Sequence, residues 1–342
     1  MQDAVARQVI GAFGAPYEPL VLRNLGSAGG FSGARFWRVA TRQGEFCLRC
    51  WPPEHPSRER LEFTHRALQA AAGAGLQYIP APIAQTQGET IVECQGRLWE
   101  LSPWLPGVAD FHNDPSRARL SAALQALARL HDVCAGMTPR RLGAAPSMQE
   151  RCERLQYLLA TGVPRLSSAL HEGDWPELAA RGRQIVTWFS QLAPECVPRA
   201  ARAMGWAVPL FPTVRDIWHD HVLFVGDAVT GIVDFGAMRT DSAAIDIARL
   251  LGSMVDDDAD AWRWGLDAYC CIRSLSARET ELIRVADESN VLLSGMNWLS
   301  WVYLEQRSFA DRRAVQARLD NILARLQELH RRHGSGETLF AG

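Results

Sequence analysis

Two aspartates, two histidines and an arginine crowd the stretch VRDIWHDHVLF at 214–224, and GIVDFG follows at 231–236. That density of proton acceptors and metal ligands points to chemistry at Asp216, at His219 and His221, and at Asp234. Two chemistries fit the residue types. One is a metal-dependent hydrolase built on His219 and His221; it needs further His or carboxylate ligands, which no other motif offers, and residues 219 and 221 of a loop need not converge. In the other, Asp216 accepts a proton from a substrate hydroxyl. His221, five residues on, then turns back to a cation, and a hairpin with GDAVTG as its turn delivers a second ligand, the carboxylate of Asp234.

The elements that must position these residues differ in texture along the chain. After an amphipathic opening (Val5 to Phe13) come short strand-like runs, LVLRNL, RFWRVAT and EFCLRCW, and later TIVECQ and RLWELSPW. A helix from Pro56 to about Ala72 interrupts them, with Leu61, Thr64, His65 and Leu68 on one stripe and a Gly-Ala-Gly stop. Beyond LPG at 105–107 the chain turns to long Leu/Ala/Arg helices, clearest in SRARLSAALQALARLHDV and from Val315 to His333; strand signals return only at Val222–Val225 and Thr230–Asp234. The expected organisation is a small antiparallel-sheet lobe (1–104), a connector at about 100–107, a larger helical lobe (108–334) and a tail (335–342).

The order Asp216, hairpin, Asp234-Phe235-Gly236 is the layout of a kinase catalytic loop followed by its metal-binding loop. The chain resembles the aminoglycoside phosphotransferase and choline kinase-like family, where the loop reads HGDxHxxNVLF, then a short hairpin, V-I-D-F-G, and D-P-x-x-D-L-A. Asp216, Val222-Leu223-Phe224, Asp234, Asp241 and Asp246 (in DSAAIDIARLL) fall on that pattern, and LARLHDV is similar to the family's L-H-x helix. The resemblance runs from about Leu20 to Leu329. It implies an α+β, two-lobed, protein-kinase-like fold and transfer of the γ-phosphoryl of ATP or GTP, with Mg²⁺ or Mn²⁺, to a hydroxyl of a small molecule.

In the small lobe, NLGSAGGFSGARFWRV is a Gly/Ser-rich turn between strands, whose backbone N–H groups can approach phosphates without Cβ interference. The resemblance assigns nucleotide contacts to Ser27, Gly29, Gly30 and Ser32 of this turn. It puts Arg49 at the phosphate-binding Lys position, with Glu62, or else Glu59, orienting it, and presents Glu100 and Ser102 of the connector to the base. Asp216 becomes the base, His221 and Asp234 the metal ligands, and Asp241 and Asp246 structural supports, Asp241 as the cap of the DSAAIDIARLL helix. Four positions depart from the family: Val214 and Trp218 for His, His221 for Asn and Arg49 for Lys. Every basic residue is Arg, since the chain has no Lys. Arg keeps the charge and pairs phosphate bidentately; imidazole favours softer ions than Mg²⁺ or requires a bridging water. A nucleotide-binding pseudokinase with a regulatory role would show such departures too.

Composition narrows the remaining classes. The chain has 342 residues, 47% hydrophobic, with net charge −2, which gives no electrostatic case for nucleic acid or an anionic membrane as partner. No apolar run is long enough to span a bilayer and the amino terminus lacks a signal-like core, so a cytoplasmic monomer or homodimer is expected. Cys47 and Cys50 form the only CxxC, and on a strand they would point to opposite faces. Substrate hints cancel: the acidic run at 255–260 suits a cationic acceptor, and the Arg-rich helices between 140 and 202 an anionic one.

Overall fold

The computed structural model describes residues 2–27, 33–170, 175–307, 309 and 311–340. The chain forms two compact units, one of Met1–Pro139 with Val214–Arg239 and the other of Arg140–Thr213 with Thr240–Gly342.

In the first unit, helix α1 (Gln2–Gly11) precedes strands β1 (Val21–Gly26), β2 (Arg35–Thr41) and β3 (Gly44–Cys50). Helix α2 (Arg58–Gly73) follows, then β4 (Val92–Cys94), β5 (Arg97–Pro103) and α3 (Arg117–Gly136). The strands make one antiparallel sheet in the order β1-β2-β3-β5-β4. Period-two alternation gives the sheet two faces. Trp37, Val39, Leu48, Trp99 and Leu101 pack against Val9, Ile10 and Phe13 of the α1 segment. Each such large apolar side chain, fully buried, contributes roughly 1.5–3 kcal/mol. Phe36 and Leu98 point the other way and pack with Trp51, Leu61 and Ile91. Cys47 shares that second face, Cys50 lies in the α1 core, and both thiols are free. Burial pushes the Cys47 thiol up to about 12, so it is inert as a nucleophile.

Ser57 caps α2 by accepting the Arg60 N–H, and the stripe Leu61, Thr64, His65, Leu68 is buried. Helix α3, which texture alone groups with the helical residues 108–334, packs in this first unit: the Tyr78 hydroxyl donates to the Ala126 carbonyl (2.9 Å), and Ile232 N–H to the Tyr78 carbonyl (2.8 Å).

The second unit takes in β6 (Arg141–Gly143), α4 (Pro146–Tyr157), α5 (Val163–Ala169), α6 (Pro176–Ala203) and β7 (Val208–Thr213). The chain then returns to the first unit for the hairpin β8 (Val222–Val225) and β9 (Ala228–Ile232). Strand β10 (Arg239–Asp241) leads to α7 (Ala243–Met254), α8 (Ala259–Cys270), α9 (Ala277–Leu299) and α10 (Arg312–Ser335). A three-stranded sheet, β10-β7-β6, gives no signal in the sequence. Two other expectations shift. Strand β9 ends at Ile232, so Asp234 lies beyond it rather than on it. Helix α7 is capped by Ser242, whose hydroxyl accepts Ala244 N–H; Asp241, one residue earlier and buried, accepts the N–H of Ser242 (2.9 Å) and of Ser147 in the first turn of α4 (3.1 Å). Asp241 therefore serves the start of α4, and Asp246 is fully buried within α7.

Candidate active site

The second face of the sheet carries Arg49 on β3 and Glu100 directly opposite it on β5, with Cys47 and Ser102 as the next such pair. Opposite these stand Leu61, Thr64, His65 and Leu68 of α2, and the space between is a cavity of about 410 Å³. Arg49 is nearly buried: its guanidinium stacks on Trp51 (3.6 Å) and lies over Phe36 (5.0 Å). Its Nη2 donates to Asp234 Oδ1 at 3.0 Å. The residue expected to orient Arg49 does not reach it. Glu62 lies off the buried stripe and pairs with Arg58, one turn back, at 3.7 Å. His65 takes the inward position instead, donating from Nε2 to Glu100 (2.6 Å), with Nδ1 on the Thr90 hydroxyl (2.7 Å). Burial pushes the Glu100 carboxyl up, but the His65 hydrogen bond and the charges of His65 and Arg49 outweigh it and hold the group below the usual range. The acid that faces Arg49 across the sheet thus comes from β5, not from α2.

The two loops carrying the expected chemistry each hold a non-glycine residue at positive φ, Arg215 at 66° and Asp234 at 62°. Backbone in that region is costly and persists where surrounding contacts over-determine it. One contact at Asp216 comes from His221, whose Nδ1–H donates to the Asp216 carbonyl at 2.8 Å. Trp218 Nε1–H donates to His221 Nε2 at 2.8 Å, and that nitrogen lies 3.8 Å from Asp234 Oδ2. The loop just beyond Asp234 is held from α2, where Arg60 donates to the Gly236 carbonyl at 2.9 Å, and is packed on Trp51, just after β3, whose ring would meet a Cβ on Gly236 at 2.9 Å. Burial raises the Asp234 carboxyl; the Arg49 charge above all, with the Arg49 hydrogen bond and the Gly236 N–H, offsets it, so it stays ionised.

The connector is tied down as well. Trp104 N–H donates to the Glu45 carbonyl (2.9 Å), and Val108 and Phe224 exchange backbone hydrogen bonds (3.1 and 2.9 Å). The Thr230 hydroxyl donates to the Pro106 carbonyl (2.6 Å). Gly107, at φ +101°, fits between, where a Cβ would collide with the Thr230 hydroxyl and the Phe224 carbonyl. Of the Gly-rich turn, Ser27 is exposed after β1, and Gly29, Gly30 and Ser32 lie outside the described residues.

A model of the phosphotransferase enzyme family matches residues 26–282. The chain belongs to that family. It is similar to homoserine kinase of Brucella anthropi, 24% identical over 311 residues that cover 88% of this chain and 86% of that one. The homoserine kinase of Methylobacterium sp. (strain 4-46) is 27% identical over 316 residues, with 86% and 87% covered. Among solved structures, an aminoglycoside phosphotransferase from Alicyclobacillus acidocaldarius superposes with TM-score 0.60 at 12% identity, covering 95% of each chain. Amicoumacin kinase in complex with AMP-PNP and Ca²⁺ gives 0.62 at 12%, with 94% and 93% covered. The protein is a kinase-type phosphotransferase with the α+β protein-kinase-like fold.

In this phosphotransferase, Asp234 suits a divalent cation: a carboxylate kept ionised, two-fifths exposed, in a cavity wall. His221 offers a nitrogen near it, but one already accepting the Trp218 N–H. His219 stands edge-on to the His112 ring (4.2 Å between centroids) and 3.4 Å from Asp220. Among the described residues, the metal-ligating side chains that converge are Cys196, Glu288 and His333 in the second unit, not the 219–221 pair. There the Arg199 guanidinium already sits between the three, within 3.3 Å of each. Sequence reasoning missed His65, Arg60 and the indole of Trp218; the stripe on α2 was the available signal for His65.

Proposed function

We propose that this phosphotransferase moves the γ-phosphoryl group of ATP to a hydroxyl of a small molecule. The observation that carries the reading is the cavity of about 410 Å³ lined at once by the connector, through Ser102, Trp104 and Leu105, and by Arg49 and Asp234. That volume falls within the roughly 300–1,000 Å³ of small-molecule pockets. A base against the connector would leave its phosphates toward the Arg49–Asp234 pair. On arrival of the phosphates Arg49 exchanges a carboxylate for phosphate oxygens, with the planar fork suited to either. Bound at Asp234, a divalent ion supplies neutralisation of the phosphate charge. Asp216, whose backbone carbonyl is held by His221, would accept or orient the acceptor proton as the new O–P bond forms and the bond to the ADP oxygen breaks. Ser27, Gly29, Gly30 and Ser32 would cover the phosphates.

The connector favours adenine. Trp51 N–H bonds the Leu98 carbonyl and Trp104 N–H the Glu45 carbonyl, so even-numbered residues of this stretch turn their backbone groups to β3. Odd-numbered ones turn away, as Leu101 does in accepting the Ile83 N–H. Pro103 thus offers a carbonyl and no N–H, and an acceptor beside the Leu105 N–H donor complements the amine and ring nitrogen of adenine. Guanine presents the reverse order. Since the curated relatives are homoserine kinases, a small hydroxyl amino acid of that kind is the acceptor we favour. No helix of the described residues is long and apolar enough to cross a membrane, and a nucleoside triphosphate donor fits a cytoplasmic location.

ADP release from wild type and Asp216→Asn, run in parallel with homoserine, amino alcohols and aminoglycosides, tests this. An acceptor should raise release in the wild type only, with turnover lower in the variant by roughly 10²- to 10⁴-fold and nucleotide affinity intact. Nucleotide binding with no Asp216-dependent turnover on any acceptor would leave a pseudokinase as the better account.

A further inference from the structure

Both nitrogens of His221 are engaged. Nδ1–H donates to the Asp216 carbonyl, which fixes the proton on Nδ1, and the Trp218 Nε1–H donates to Nε2, each at 2.8 Å. An indole N–H can only donate, so the lone pair that would ligate a cation is filled by a proton donor. Yet Nε2 lies 3.8 Å from Asp234 Oδ2, and a cation on that carboxylate would sit within its reach. The pairing is local. The His221 N–H donates to the Trp218 carbonyl (2.9 Å), closing the tight turn that brings the two side chains together. The indole is also packed on the His219 ring, 4.6 Å between centroids.

We propose that Trp218 sets the cation selectivity of the site. By capping Nε2 it keeps His221 out of the coordination shell, so that the cation on Asp234 meets oxygen donors only, the set that suits Mg²⁺. A bare imidazole at that distance would favour Mn²⁺, Co²⁺ or Zn²⁺. His221 then acts as a positioning residue, holding the Asp216 carbonyl. The inference rests on the reading of Asp234 as the cation ligand.

Binding of Co²⁺ and of Mg²⁺ to the ADP complex, measured by calorimetry without turnover, tests it in wild type and Trp218→Phe. To ligate in the wild type, His221 must give up one hydrogen bond; sparing it that loss should tighten Co²⁺ binding in the variant by about two- to tenfold. Mg²⁺ affinity should stay within about twofold, since an oxygen-seeking ion gains little from imidazole. The gain should vanish in Trp218→Phe/His221→Asn. An unchanged ratio of Co²⁺ to Mg²⁺ affinity overturns the proposal. A second measurement needs only the native indole: pulsed electron paramagnetic resonance of the wild-type Mn²⁺–ADP complex should show no imidazole nitrogen coupling. A coupling that is lost in His221→Asn overturns the proposal while leaving Asp234 as ligand. Co²⁺ that fails to bind, or binds Asp234→Asn as tightly as wild type, removes the cation site itself and the inference with it.

Discussion

Arg49→Met keeps an unbranched side chain against Trp51 while deleting the guanidinium, and its cost follows from two contacts. The 3.0 Å hydrogen bond to Asp234 is charge-assisted, but Asp234 is 43% exposed, so solvent screening reduces it to about 1 kcal/mol. Stacking of the cation on Trp51 at 3.6 Å adds about 0.5–1 kcal/mol. The variant should therefore lose about 2 kcal/mol in urea unfolding at neutral pH. The loss has a pH signature. Burial raises the Asp234 carboxyl and Arg49 is the largest influence lowering it, with a net shift downward from 3.8. A lowered folded value gives stability that is complete above the unfolded one and disappears as pH falls through the folded one. The gap between wild type and variant should thus be level from about pH 8 to 5, then shrink below 3.8 as Asp234 protonates. Equal stabilities at neutral pH, or a gap that persists undiminished to about pH 3, would refute the stabilisation assigned to this ion pair.

Arg60→Ala frees the Gly236 carbonyl and should raise the divalent-ion concentration needed for nucleotide-dependent thermal stabilisation by roughly three- to tenfold, the worth of about one hydrogen bond; an unchanged requirement would mean that α2 does not hold the loop proposed to bind the cation. Gly107→Ala brings a Cβ into the Thr230 hydroxyl and the Phe224 carbonyl at φ +101° and should cost more than about 2 kcal/mol, whereas Gly226→Ala, also at positive φ but in open space, should cost about 1 kcal/mol. Equal losses in the two glycine variants, compared by thermal unfolding, would show that the clash is absorbed.

Period two explains why so much of the cavity wall was legible. Once EFCLRCW and RLWELSPW are strands, Cys47 and Arg49 must share a face, Glu100 and Ser102 must share one, and Cys47 and Cys50 must part; that the two pairs meet on one side is set by the register of β3 with β5. The helix was readable too, and the error over Glu62 came from setting position above phase: Leu61, Thr64, His65 and Leu68 define the inward stripe, and Glu62 stands about 100° away from Leu61 on the helix. Other features had no local signature. Strand β7 carries Pro209 and Pro212, which argue against a strand with neighbours on both sides, yet it forms between two very short partners. Asp241 looked like a cap for the helix that follows it because its second partner, Ser147, is remote in sequence. Whether the His221 lone pair is open depends on the Trp218 rotamer, which residue spacing does not specify.

The wall of the cavity proposed to hold the nucleotide is assembled from two stretches of chain that are far apart in sequence. Residues 1–139 supply the sheet, α2 and the connector; Leu223, Val233, Asp234 and Phe235 arrive only after the chain has passed through 140–213. During synthesis the first stretch therefore emerges with one side of its cavity missing, and the Val108 backbone groups lack the Phe224 partners that pair with them. Closing that long loop carries an entropic cost that grows only with the logarithm of its length, so the delay is one of timing more than of stability. A ribosome-bound chain ending near residue 139 should expose apolar surface that the finished protein hides. The ability to hold a nucleotide would then come late in translation, together with the aspartate proposed to hold its cation.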